Sequence, residues 1–389
     1  MRRVYLDHNA TTPVHPEVLE AMMPFFKDQF GNASSIHWAG RYVKKYMEDA
    51  REKVAALIQA APTEVVFTGS GTESDNMAIQ GVAFAHREKG GHIITTQVEH
   101  HAVLHTCRFL EKMGYEVTYL PVDGDGRIDL DDLRRAIRKE TILITIMFAN
   151  NETGTISPVK EIGEIAREKG VVFHTDAIQA LGKIPINLKE LPVDILSLSG
   201  HKIYAPKGIG AQYIRKGIKF TPLLHGGGQE RNRRSGTENI PYIIGLGKAC
   251  EVAQRDFAKR HDHLLRLRDR LHQGIINRIP HVKLNGHPTL RLPNTLNLSF
   301  LYIEGESLLL NLDLDGIAVS SGSACTSGSL DPSHVLMAMG IPHEVAQSSL
   351  RFSLGWANTE EEIDTVLEIL PRIVQRLRDM SPLYKKKTS

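Results

Sequence analysis

Between residues 60 and 215, short β-rich runs alternate with helical patterns, and this alternation restricts the fold more than any other feature. "EVVFT" (64–68) leads through a glycine turn into "ESDNMAIQGVAFAHRE"; "HIITT" (92–96) leads into "AVLHTCRFLEKMG", and "EVTYLP" follows. "DLDDLRRAIRKE" precedes "ILITIMFA" (142–149), "PVKEIGEIAREKG" precedes "VVFHT", and "VDILSLS" and "GAQYIR" complete the series. Strands separated by helices imply crossover units and a largely parallel sheet, here of seven strands. Several of these runs are apolar without alternation, as expected of strands that helices cover on both faces. The fold class expected is α/β.

Near residue 245 the pattern changes. A long polar helix, roughly 244–278, is followed by "RLPNTLNLSF", a Ser/Gly loop and a closing helix at about 359–378. This reads as a second, smaller α/β domain, with the long helix as connector. The 389 residues exceed what one core usually organises, which agrees with a division. The expected boundaries are 15–255 for a large domain, and 1–14 with 256–389 for a small one. A net charge of +2 argues against a broad nucleic-acid surface. The start "MRRVYLDHNATT" lacks the apolar run of a secretory signal, and "ILITIMFA" is too short to span a bilayer. Three cysteines, at 107, 250 and 325, suit neither a disulfide framework nor a zinc site. The reading is a cytoplasmic protein with reduced thiols and with no nucleic-acid or membrane partner.

In open α/β sheets ligands lie beyond the carboxyl ends of the strands. That rule selects "GSGTESDN" after the first strand, where a glycine-opened helix N-terminus can take a phosphate and Thr72 with Asp75 has capping-box spacing. It selects His100 and His101 in "QVEHHA", Asn150 and Asn151 in "NNETG", Asp176 and Gln179 in "DAIQA", and His201 and Lys202 in "GHKIYAPKG". Each has a plain alternative: His101 as a helix-start residue, Asn150 and Glu152 as turn residues, Asp176 as a cap, Lys202 as a solvated lysine. Four polar clusters at successive strand ends favour a shared site. An anion cradle, a carboxylate, an amide, a flat polar ring and a lysine suit pyridoxal phosphate, whose chemistry needs a Schiff-base lysine and an acidic partner for its ring nitrogen. The G-x-G-x-x-G spacing of a nicotinamide site and the P-loop pattern are both absent.

These residues lie in motifs that resemble the cysteine desulfurases of the NifS/IscS group, pyridoxal-phosphate enzymes of the class V aminotransferase fold (fold type I). The resemblance runs from "VYLDHNATTPVHP" through "FTGSGTESDN", "NNETGT", "HTDAIQA", "SLSGHKIYAPKGIG" and "GGGQERNRRSGTEN" to "SSGSACTSGSLDPSHVL" and "SSLRFSLG". It implies a Schiff-base role for Lys202 and a ring-nitrogen role for Asp176. It gives Gln179 the ring hydroxyl, and His100 stacking on the ring with proton transfer. Gly71, Thr72, Ser199, Gly200 and His201 would hold the phosphate, as would Thr237 across the interface of a homodimer. Asn151 and Arg351 would bind the carboxylate of L-cysteine. Cys325, in the Ser/Gly loop "SSGSACTSGS" (320–329), would take the sulfur as a persulfide; it is also a candidate transient iron–sulfur ligand, and no resident metal is expected. The products would be alanine and sulfur for an iron–sulfur scaffold or another acceptor. A selenocysteine lyase or aminotransferase of the same fold would share Lys202, but an aminotransferase has no use for Cys325. Cys107 and Cys250 fall in helical patterns and read as packing residues.

Overall fold

A two-residue strand, β1 (Val4–Tyr5), opens the chain in the computed structural model, which describes residues 3–321 and 331–384. Two helices, Pro16–Lys27 and Trp38–Ile58, precede the alternating region. That region contributes β2 (Val65–Thr68), β3 (His92–Thr96), β4 (Glu116–Leu120), β5 (Thr141–Thr145), β6 (Val172–Asp176), β7 (Ile195–Ser199) and β8 (Gly210–Ile214). They form one sheet in the order β2-β8-β7-β6-β5-β3-β4. The run from β4 to β7 is parallel, while β8 is antiparallel to both β7 and β2. Residues 200–209 link β7 to β8, fewer than the dozen or so that a parallel crossover needs, so the strand must turn back. β2, β3, β5, β6, β7 and β8 are buried along their whole length, whereas the edge strand β4 is largely half-exposed.

The apolar run "ILITIMFA" does not stay a strand to its end. β5 stops at Thr145, and the residues after it run on beside β6 without regular strand geometry, with Ile146 N–H donating to His174 O at 3.2 Å and Phe148 N–H to Asp176 O at 2.8 Å. The connector also differs from the single helix expected over 244–278. It breaks at Asp256 (φ −99°, ψ 7°) into Ile240–Arg255 and Phe257–Arg278. The first piece buries Ile243, Leu246 and Cys250 in the core of the large sheet; the second buries Leu267, Leu271 and Ile275 in another core. One straight helix cannot present its apolar stripe to two cores that lie in different directions.

The second core surrounds a three-stranded antiparallel sheet of β9 (Val282–Asn285), β10 (Thr295–Phe300) and β12 (Ser349–Ser353), in the order β12-β10-β9. β11 (Ile317–Ala318) pairs in parallel with β1, so the N-terminus joins this core through Val4 and Leu6. The closing helix, Glu360–Met380, starts in a Thr359–Glu362 capping box and packs Ile363, Val366 and Leu370 inward. After β1 the N-terminal segment runs back towards the large sheet. Asn9 N–H donates to Ser353 Oγ at 2.9 Å, and Thr12 N–H to His201 O at 3.1 Å.

Candidate active site

The floor of a cleft of about 280 Å³ lies at the carboxyl ends of β2, β3, β6 and β7. After β2, helix Gly71–Ala85 begins at the cap Ser70, whose hydroxyl accepts from Glu73 N–H at 3.1 Å; Glu73 Oε2 accepts from Gly69 N–H at 2.7 Å. The cap is therefore Ser70 with Glu73, not Thr72 with Asp75. Asp75 turns into the core, fully buried and 3.7 Å from His174, and burial with Asp176 nearby pushes its carboxyl well up. Gly71 has no room for a side chain, since a Cβ there would meet Ile178 Cδ1 at 2.2 Å. The bare helix N-terminus thus faces the cleft with unpaired N–H groups, a site suited to a phosphate.

At the end of β3, His100 caps helix His101–Lys112, its Nδ1 accepting from Ala102 N–H at 3.1 Å. That contact leaves the proton of a neutral ring on Nε2. Burial, then the nearby Lys202, lowers its pKa to about 4, so the ring is neutral near pH 7. Asp176 ends β6, with Oδ1 accepting from Ile178 N–H at 2.9 Å; burial raises its carboxyl to about 6. β7 delivers Ser199, then His201 and Lys202 on a short 3₁₀ turn. Lys202 Nζ donates to the carbonyls of Asn9 at 2.5 Å and Ala10 at 2.7 Å.

The wall comes from elsewhere. Arg351, on β12 and 4% exposed, donates to Asn151 O at 3.1 Å and pairs with Asp7 at 2.8 Å. Asn151 lines the cleft, whereas the Asn150 side chain is spent on its own turn, accepting from Glu152 and Thr153 N–H at 2.9 Å each. Gly71, Thr72, His100, Asn151, Asp176 and Gln179 thus share one cavity with Ser199, His201, Lys202 and Arg351.

The aminotransferase class-V family profile matches residues 4–366. The chain belongs to that family. Among its relatives is the cysteine desulfurase IscS of Methanosarcina thermophila, 59% identical over 385 residues, covering 99% of this chain and 95% of the relative. A solved NifS-like protein superposes with a TM-score of 0.91 at 42% identity, over 97% of this chain and 100% of its own. A second solved chain, SspA in complex with cysteine, gives 0.80 at 40% identity, over 90% and 98%.

Among the described residues, two expected in the site of this class-V chain, Gly200 and Thr237, do not line its cleft. Gly200 is buried beneath it, where a Cβ would meet Ile209 Cγ2 at 2.8 Å. Thr237 is exposed and borders a separate hollow with Phe67, Glu230 and Arg234. Cys325 lies outside the described residues. The segment 226–239 is less superficial than its polarity suggests: Glu230, 7% exposed, takes a two-pronged contact from buried Arg51 at 2.7 and 2.8 Å and accepts from Phe67 N–H. Cys107 and Cys250 are buried free thiols, and burial raises both, Cys250 to about 12.

Motif reading missed Asn9, Ala10, Ser70, Met147, Ala149 and Ile178, all of which line the cleft. Ser70 was recoverable, because "SGTE" is a better capping box than "TESD". Asn9 had no local signal. Two further buried carboxyls stand close by: Glu99, raised to about 8 by burial, and Glu152, raised to about 7 and hydrogen-bonded by Ser333 Oγ.

Proposed function

We infer that the chain is a cysteine desulfurase that takes sulfur from L-cysteine, releases L-alanine and supplies iron–sulfur cluster assembly. The observation that carries the reading is the convergence of Lys202, Asp176 and His100 on a helix N-terminus opened by Gly71, with Arg351 opposite. Its support outside the site is the identity to relatives named cysteine desulfurase over nearly the whole chain.

The cleft suits pyridoxal 5′-phosphate. Gly71 keeps the helix N-terminus bare for the phosphate, and Ser199 and His201 stand beside Lys202 on the same turn. When bound, this cofactor supplies an electron sink for a carbanion at the α-carbon of an amino acid. Asp176 is the group to hold the proton on the ring nitrogen, because a buried carboxylate favours a cation beside it. Lys202, the amine on the cleft floor, would hold the cofactor and is the base placed to move the α-proton. His100, neutral near pH 7, would lie against the cofactor ring and can pass a proton through Nε2. Arg351 holds the substrate carboxylate by its forked N–H groups, and Asn151 lies beside it. Cys325 Sγ, as thiolate, attacks the substrate sulfur; the S–S bond forms as C–S breaks, and carbon keeps the electron pair and takes a proton to become alanine.

The assembly in this reading is a cytoplasmic homodimer that passes sulfur to an iron–sulfur scaffold or similar acceptor. Two observations support the dimer. Thr237 is exposed and borders a neighbouring hollow with Thr68 and Gly69 rather than lining its own chain's cleft, so a phosphate role for it calls for a second copy. Phe26, Phe30, Ile36 and Trp38, all within residues 26–38, expose 53%, 80%, 90% and 75% of their surface, large apolar side chains that a second copy would cover. Among the described residues no helix is long and apolar enough to cross a membrane.

The test supplies cysteine, pyridoxal phosphate and a reductant, and measures alanine and sulfide. Equal release of both is expected from the parent, and neither from Cys325→Ser, which still binds cysteine. Cys107→Ser and Cys250→Ser should keep turnover and lose only about 1–2 kcal/mol of stability. Keto-acid exchange without sulfide, or full turnover by Cys325→Ser, would overturn the reading.

A further inference from the structure

Gln179 faces the cleft with both ends of its amide already engaged. Nε2 donates to the Asn9 carbonyl at 3.0 Å, and Oε1 accepts from Lys183 Nζ at 2.7 Å. A backbone carbonyl can only accept, and a lysine Nζ turned towards an amide calls for its oxygen, so the two contacts fix which end is which. One N–H of Nε2 is then left to donate.

Asn9, 2% exposed, is the frame for this lock. Its Oδ1 accepts from Asn294 Nδ2 at 3.0 Å and stands 3.4 Å from Lys183 Nζ; its Nδ2 donates to Thr295 Oγ1 at 2.9 Å and to Asn151 O at 3.1 Å. The carbonyl that receives Gln179 also receives Lys202. The lysine, the ring amide and the substrate loop are therefore indexed to one buried asparagine.

Lys183 is the costly member. It is 8% exposed, its hydrogen-bond partners are two amide oxygens rather than a carboxylate, and burial with Lys202 and Arg351 nearby holds its pKa well below the usual lysine range. A methionine would fill the same volume without burying an amine. The geometry, resting on the cofactor reading above, points to a use: we propose that Lys183 is a positioning residue that locks the Gln179 amide, so that its remaining N–H meets the ring oxygen of bound pyridoxal phosphate and holds that oxygen as a hydrogen-bond acceptor. Without the lock the amide can turn and offer its own oxygen, which favours a protonated ring oxygen instead.

The experiment is a pH titration of the visible absorption of cofactor-loaded protein with no substrate present, for the parent, Lys183→Met, Gln179→Ala, the double variant and Lys183→Gln. Lys183→Met should raise the midpoint by about one pH unit, a tenfold change in the equilibrium. Gln179→Ala should move it in the same direction, and the double variant should go no further, because both act through one contact. Lys183→Gln, which can still donate to Oε1, should return the midpoint towards that of the parent. Thermal denaturation without cofactor should show Lys183→Met at least as stable as the parent, where a merely structural lysine would be missed; Lys183→Leu serves the same comparison if the Met variant does not fold. An unmoved midpoint in Lys183→Met beside a shifted one in Gln179→Ala overturns the lock and leaves the cofactor reading standing. An unmoved midpoint in Gln179→Ala overturns the role of Gln179 itself.

Discussion

The floor and the wall of the cleft are built by different rules. Gly71, His100, Asp176, Ser199 and Lys202 each lie within four residues of the end of a strand, so the floor is the direct product of strand, turn and helix. Asn9 and Arg351 reach the same space from opposite ends of the chain, joined through Ser353 and Asp7 across 344 residues of sequence. A floor residue is placed by its own strand, even where, as with Lys202, its side chain also reaches the Asn9 and Ala10 carbonyls, and it can be changed with little harm to folding. A wall residue is held by its partners, so changing it disturbs both the site and the seam between the two cores.

The largest expected effect is on the floor. Lys202→Ala should lower turnover by ~1,000-fold or more, about 4 kcal/mol of barrier, with the thermal midpoint of the cofactor-free protein nearly unchanged. Turnover within tenfold of the parent would remove Lys202 from the chemistry. Asp176→Asn keeps an oxygen for the Ile178 N–H and should cost roughly 30- to 1,000-fold in rate. Because burial opposes the charge on Asp176, the cofactor-free variant should be no less stable than the parent near pH 7. A large loss of stability would mean that the floor is not independent of its chemistry.

On the wall, Arg351→Ala should raise the KM for cysteine by roughly 10- to 100-fold, as expected for a lost charge-assisted contact, and also lower the thermal midpoint. The second effect arises because Asp7 loses its cation and Asn151 O a donor. A change in KM with no change in stability would erase the distinction between wall and floor.

The smallest effect is a pH dependence. Burial raises Glu99 from 4.5 to about 8, so between those values the folded chain keeps a proton that the unfolded chain has lost. Its contribution to stability is full below 4.5 and is lost as pH rises through about 8; Glu152, raised to about 7, acts in the same direction. His100, lowered from 6.5 to about 4, works oppositely, but its contribution is present above 6.5 and is lost only as pH falls. Lys183, held low, adds a rise with pH above 6.5, which is common to parent and Glu99 variant and so leaves their difference in the window from 6.5 to 8 to the carboxyl. Glu99→Gln retains an oxygen for Thr96 and Met147 N–H and should flatten the fall of the thermal midpoint across that window by roughly 2–4 °C. An equal fall in parent and variant would show that Glu99 does not carry it.

The seven-stranded sheet was legible because each strand is a local signal: an apolar run bounded by turn residues, with a polar cluster at its carboxyl end. The same grammar found Asp176, Lys202, His100 and Asn151, since a strand end and a ligand edge are the same place. It failed where an outcome depended on a partner distant in sequence. "FAKRHDHLLRLRDRLHQGI" and the helix before it scan as one periodic pattern, and only the directions of the two cores impose the break at Asp256. "TESD" and "SGTE" both satisfy the capping spacing. The choice fell to Ser70 because Asp75 is drawn into the core beside His174. Glu230 reads as one more charge in a polar loop until Arg51, 179 positions earlier, is seen to bury it.

By itself, then, the chain determines the number and succession of strands in its alternating region, the placement of its ligand edge and the residues that stand there, because these follow from short-range periodicity and turn chemistry. The tertiary structure alone decides that β8 runs backwards, that the N-terminus closes the second core, and that Asn9 ties Lys202, Gln179 and Asn151 to one buried point. The reason is that a hydrogen bond is specified by where two groups meet, and for Asn9 those meetings span 142 to 344 residues of chain that no local pattern connects.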